Sequence, residues 1–179
     1  MRYLLALCRA IDQLNAAVGT LASCAVLIAC LISAGNAISR YTFSISSNAW
    51  LEIQWYLFGV MFLFGAAYTL KNNGHVRVDI LYSRLSPRQA AWLDLFGGIL
   101  FLMPAVVIIG WMSWPFFLDS YTIREMSNNA GGLPRWPAKF LMPVGFGLLA
   151  LQGLSEIVKR IAVLSGHLDL APKYEKPLQ

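Results

Sequence analysis

Charge is scarce in this sequence. Asp, Glu, Lys and Arg make up 13% of its 179 residues, against roughly 25% in an average soluble domain. A soluble chain this short has much surface for its volume and cannot cover it with so few charges. A free cytosolic enzyme is therefore excluded, and the apolar excess, 58% of the residues, points to lipid as the surrounding medium. Disorder is excluded as well, because 13% of the residues are aromatic and no long segment is polar enough. The net charge of +5 would raise nucleic-acid binding in a soluble protein. Here the basic residues are scattered between apolar stretches, where they orient a membrane protein, and no nucleic-acid partner is expected.

Other absences narrow the chemistry. The histidines are His75 and His167; both lie between apolar stretches, so the paired intramembrane histidines of a b-type cytochrome are missing. Cys8, Cys24 and Cys30 form no C-x-x-C pair, and an odd number cannot close a disulfide framework. They are expected to be inert thiols. Carboxylates are absent from the centres of the apolar stretches: Glu52, Asp119 and Glu156 sit at their edges, whereas a proton-coupled exporter needs a membrane-embedded acid. Uncharged polar residues such as Ser33, Asn36 and Thr69 are what the interiors hold. A metal centre near His75 and Asp79 would lack two ligands. No catalytic group, cofactor or metal is expected.

What is present is four charge-free stretches, residues 13–39, 53–70, 95–118 and 140–155. About 20 helical residues cross the hydrocarbon, fewer where flanking residues snorkel. Polar caps and interfacial residues extend the spans to about 13–39, 48–72, 87–118 and 137–157. The fold class is thus all-α integral membrane, one four-helix domain over residues 1–165. The first stretch runs far beyond a signal-peptide core and is expected to remain as a span. Ser86-Pro87 reads as N-cap and first residue of the third helix, and Pro104 inside it predicts a kink. Residues 76–85 mix Val78, Ile80 and Leu81 with Arg77, Asp79 and Arg84, the pattern of a short amphipathic helix at the interface. Residues 166–179 are polar and read as a flexible tail.

Orientation follows from the basic residues. Ten of the 14, at the N-terminus, in the 71–94 connection and in the tail, fall on one side; Arg40, Arg124, Arg135 and Lys139 fall on the other. Both termini are therefore expected in the cytoplasm. On the outer face the longest connection, residues 119–139, contains Asn128-Asn129-Ala130-Gly131-Gly132-Leu133-Pro134, a turn that re-aims the chain before Arg135-Trp136. This segment is either a solvated loop or a docking surface. Glu52 suits the positive end of its own helix or a partner contact. His75, Arg77 and Asp79 suit a solvated face or a contact, and Trp136 an interfacial anchor or a docking residue.

Trp50-Leu51-Glu52 with Phe62-Leu63-Phe64-Gly65-Ala66-Ala67, and then Asn73-Gly74-His75-Val76-Arg77-Val78-Asp79, resembles the small membrane subunit of tripartite ATP-independent periplasmic transporters, the DctQ-like small permease. So does Leu133-Pro134-Arg135-Trp136 followed by Leu141-Met142-Pro143-Val144-Gly145-Phe146. The resemblance covers roughly residues 48–160, and Gly-His-hydrophobic-Arg-hydrophobic-Asp is its most specific string. It implies a non-catalytic scaffold of the bacterial inner membrane. The partners it implies are a large membrane subunit that carries the sodium and substrate sites, a periplasmic binding protein that delivers an organic acid, and lipid. Glu52, Trp55, His75, Arg77, Asp79, Arg135 and Trp136 are then candidates for partner contacts. A self-assembling four-helix membrane enzyme, or a small exporter, is the other reading. The first would need clustered Arg, Tyr or Glu near one leaflet, the second a polar stripe along a helix.

Overall fold

The computed structural model describes residues 1–74, 82 and 84–169. Among them the chain is helical, with one isolated antiparallel bridge between Met126 and Pro134. Four helices are long and apolar enough to cross a membrane: α1, Arg2–Phe43; α2, Asn48–Lys71; α3, Pro87–Thr122; and α4, Trp136–Leu164. The expected interfacial helix at 76–85, and with it His75, Arg77 and Asp79, lies almost wholly outside the described residues, as does the tail from residue 170. Because α1 has 42 residues, it reaches about 63 Å at 1.5 Å per residue, twice the thickness of the hydrocarbon. It starts well before the apolar window at 13–39 and ends beyond it.

The helices begin and end where their sequences demand it. Ser86 accepts a hydrogen bond from the Gln89 N–H while the Gln89 side chain accepts from the Ser86 N–H, a capping box with Pro87 in the first turn. The π-helical stretch Gly98–Leu102 comes just before Pro104. A proline has no N–H to give the carbonyl four residues back and its ring crowds that carbonyl, so the helix widens there instead of breaking. Ser44 ends α1 in the left-handed conformation, at φ 56°.

In lipid, apolar surface gains nothing by leaving one apolar medium for another, so close backbone approach decides helix pairing. The buried face of α1 is accordingly small: Asn15, Gly19, Ala22, Ala25 and Ala29 recur at three- and four-residue spacing along one seam. A Cβ on Gly19 would lie 2.5 Å from Tyr68 Cγ on α2, and one on Gly145 of α4 would lie 2.6 Å from Leu63 Cβ and 3.0 Å from its carbonyl oxygen. The central helix is α4. It packs against α1, α2 and α3, α1 also packs against α2, and α3 has α4 as its one sustained helical neighbour among the described residues. The molecule is thus a three-helix core with α3 mounted on its α4 side, and the crossing is again close, with Gly153 against Met103 and Gly98 against Ile157.

Because these contacts are backbone-deep, Gly19→Ala and Gly145→Ala should each destabilise the protein by about 1–3 kcal/mol, the ordinary cost of overpacking. Gly35→Ala, whose Cβ meets nothing within 4 Å, should not. Thermal unfolding in detergent, followed by helical circular dichroism, checks this: equal midpoints for all three variants would contradict the packing.

Candidate functional site

The charged and polar side chains of the described residues gather at the two ends of the helices. At the end away from the termini, the connection from α3 to α4 folds into a tight loop. Its strands face each other through Arg135 N–H to Glu125 carbonyl (2.8 Å) and Ser127 N–H to Leu133 carbonyl (3.0 Å), and Gly132 N–H closes the tip onto the Asn129 carbonyl (3.0 Å). Gly131 sits at φ 69°, where glycine carries no steric penalty.

A stripe of three residues on α2 holds this loop. Asn48 donates to the Ala130 carbonyl (2.9 Å), and the Tyr56 hydroxyl donates to the Pro134 carbonyl (2.5 Å). Between them Glu52, 5% exposed, accepts from the Ser127 hydroxyl, from Asn129 Nδ2 (2.8 Å) and from the Leu133 N–H (2.7 Å). The three lie at i, i+4 and i+8, one helical face. Gly132 is the residue that lets the loop come so near, since a Cβ there would stand 2.5 Å from Ser127 Cβ and 2.9 Å from Glu52 Oε1. Glu52 therefore caps the loop and not its own helix, of which it is the fifth residue.

The loop is also tied to α3 and α4. Lys139 pairs with Glu125, and its ammonium lies 4.1 Å from the centroid of the Phe116 ring. The hydrogen bond from Lys139 holds the Glu125 carboxyl below its ordinary value. Trp136 meets Tyr121 edge to face at 5.4 Å, in an aromatic cluster with Phe117 and Phe140.

Of the residues singled out in the sequence, Glu52, Trp55 and Arg135 come together around a pocket of 160 Å³ that Tyr56, Ala138 and Lys139 complete. Trp55 is 63% exposed there. The guanidinium of Arg135 has no hydrogen bond or ion pair among the described residues. Trp136 faces the aromatic cluster instead. Asn48, Tyr56, Ser127, Asn129 and the Glu125–Lys139 pair were not expected from the sequence; a polar i, i+4, i+8 stripe in an apolar helix was the available signal.

The opposite end holds a second network. Asn15 donates to Gln152 Oε1 (2.8 Å), Gln152 donates to Asp12 (2.9 Å) and to Glu156 (3.0 Å), and Lys159 bridges Asp12 and Glu156 at 2.8 Å each. Asn15 and Gln152 are fully buried. Nearby, Arg160 pairs with Asp94 at 3.2 Å, which joins α4 to α3. Glu156 stands at a span edge in the sequence, as expected, but the network of Asp12, Asn15, Gln152 and Lys159 that it joins was not expected. Their three- and four-residue spacings on two helices were the signal.

Removing the Glu52 carboxylate takes the shared acceptor from the part-buried donors of Ser127, Asn129 and Leu133, and water replaces it without holding the loop to α2. Glu52→Ala should therefore raise hydrogen exchange at the amides of Ser127, Gly132, Leu133 and Arg135 by at least about tenfold, with α1 and α4 protection unchanged. Unchanged exchange in the loop would show that the carboxylate does not hold it.

No curated protein and no solved structure matches the chain. The family model described as tripartite ATP-independent periplasmic transporters, DctQ component, matches residues 29–163, from the seam of α1 through the loop to the end of α4. The chain belongs to this family, the small membrane component of these transporters.

Proposed function

We propose that the protein is the non-catalytic scaffold subunit of a sodium-driven importer of an organic acid. It sits in the bacterial inner membrane, with both termini in the cytoplasm and the Glu52-bound loop on the periplasmic face. The observation that carries this reading is how the acids at the two ends of the helices are spent. Glu52 is saturated by the loop, and Asp12 and Glu156 are bridged by Lys159. Glu52 ties α2 to the loop and Asp12 ties α1 to α4, while Glu156 steadies Gln152 and Lys159 within α4. A substrate or sodium site needs polar groups left open near the midplane, so those sites belong to the large membrane subunit. Membership of a transporter family supports the same division of labour.

The loop is then the contribution of this subunit to the docking of the periplasmic binding protein. Arg135, half-buried and in the field of Glu52 and Glu125, lines the same pocket as the exposed Trp55, and Arg and Trp are the residue types that most often dominate interfaces. Glu52 acts at second hand by fixing the loop, while Trp136 anchors the start of α4. His75, Arg77 and Asp79 are assigned to the cytoplasmic contact with the large subunit.

Purified by itself, the subunit should show no saturable binding of organic acids, and co-expressed with the large subunit it should elute with it in equal amounts. Saturable binding by the isolated chain would refute the scaffold role. For docking, Arg135→Glu should raise the concentration of binding protein needed for half-maximal uptake by proteoliposomes about tenfold, the equivalent of one charge pair of 1.4 kcal/mol, while the membrane complex forms in normal yield. An unchanged requirement would reject docking at this residue.

A further inference from the structure

At the loop end of the bundle α1 and α2 part, and the seam that is closed at Ala22, Ala25 and Ala29 opens into a cleft of 420 Å³. This volume falls within the range of small-molecule sites. The cleft is graded in polarity along α1. Leu31 and Ile32 line its deep part, Gly35 and Asn36 the next turn, and Ser39 the turn above; Ile45, Ser47 and Trp50 close it from the connection and from α2. From Leu31 to Ser39 the helix rises about 12 Å, and over that distance the lining passes from hydrocarbon to amide and hydroxyl; the exposed Arg40 is the next residue of the helix.

Three polar features at the upper end are unspent. The Asn36 amide and the Arg40 guanidinium have no side-chain partner among the described residues. Ser47 is the N-cap of α2, yet its side chain makes no cap hydrogen bond. The first N–H groups of α2 and the positive end of its dipole thus stand at the rim of the cleft. An amide inside an apolar span normally finds a partner, because hydrocarbon offers none.

We propose that this cleft is a binding site for one anionic phospholipid of the adjoining leaflet. An acyl chain lies against Leu31 and Ile32, the ester oxygens accept from Asn36 and Ser47, and the phosphate is held by Arg40 and the N-terminus of α2. The order of the lining matches the order of groups in such a lipid. A helix of another subunit fits less well, because the cleft runs for two turns of α1 and a transmembrane helix needs a groove along much of its length. Trp50, 53% exposed at the same height, has the amphipathic ring found at the headgroup level. The bound lipid would fill the gap between α1 and α2 and hold their splayed ends at a fixed distance.

Native mass spectrometry of the full chain in detergent, titrated with dioleoylphosphatidylglycerol, tests the site. The expected result is one lipid that survives activation sufficient to strip the others. Gly35→Leu fills space that is empty of protein atoms and should lower its occupancy about tenfold with unchanged helical content. Asn36→Leu and Arg40→Gln, the second at an exposed residue that no fold contact needs, should each weaken retention. Glycerol 3-phosphate should not compete, since it has the phosphate without the chain. Equal retention by the parent and all three variants would overturn the proposal, as would full competition by glycerol 3-phosphate. Loss of the large subunit from a co-expressed Gly35→Leu complex, with lipid retention unchanged, would assign the cleft to a protein helix and overturn it as well.

Discussion

A buried carboxylate must be matched by donors, and the periphery of this molecule is organised around that demand at Glu52. An ionised carboxylate packed against protein needs its lone pairs filled, and the hydrogen-bond partners of Glu52 come from outside α2. The loop between α3 and α4 supplies them from Ser127, Asn129 and the Leu133 N–H. To do so it must come within contact of α2, which makes Gly132 necessary and brings Pro134 within reach of Tyr56. The position of Arg135, and hence the pocket beside Trp55, follows from the same constraint. A side chain that touches no partner thereby decides what a partner would meet.

The other end is built on the same principle with different parts. Lys159 is shared by Asp12 and Glu156, and Gln152 connects Asp12 to Asn15. These links lock α1 to α4 as firmly as the loop locks α2 to the start of α4. Between the two ends the helices meet through glycine and alanine. The division is physical: small residues permit a close approach but say little about register, whereas hydrogen bonds and ion pairs fix register and tolerate little displacement. With α1 pinned to α4 at one end, α2 pinned to the loop at the other and close packing between, each helix of the core is fixed to a neighbour. By contrast α3 leans on α4 through Gly98, Gly110 and Gly153 and leaves most of its apolar surface outward.

Much of this was legible in the sequence. The four spans followed from charge-free length, and the start of α3 from Ser86-Pro87, because both signals are local. The turn chemistry of Gly131-Gly132-Pro134 was visible too, though not its purpose. What a single sequence does not carry is which helices face each other. Asp12 and Gln152 are 140 positions apart, and each alone is an ordinary polar residue near the end of a hydrophobic run. Glu52 was read as a candidate for dipole stabilisation or for a partner because its loop lies 75 to 81 residues downstream. The π-helical turn before Pro104 was likewise expected only as a kink, since sequence shows that a hydrogen bond is lost but not how the helix absorbs it.

The placement of the polar clamps bears on what such a subunit can do. A charged pair at the midplane would draw in water, or would need a partner that could become displaced; at the ends it borrows solvation from the interface while still fixing the helices. The middle of the bundle is left to glycine, alanine, large apolar side chains and a few uncharged polar groups, such as Thr69 and Ser113, that bond to their own helix. Without charged groups among the described residues, this middle presents much the same medium to a neighbour as lipid does. Such a middle with specific ends suits the proposed brace, since the polar groups at the ends hold the helices at fixed separations. The same reasoning makes the cleft between α1 and α2 stand apart, because its Asn36 amide is a polar group within this framework that the described residues leave unmatched.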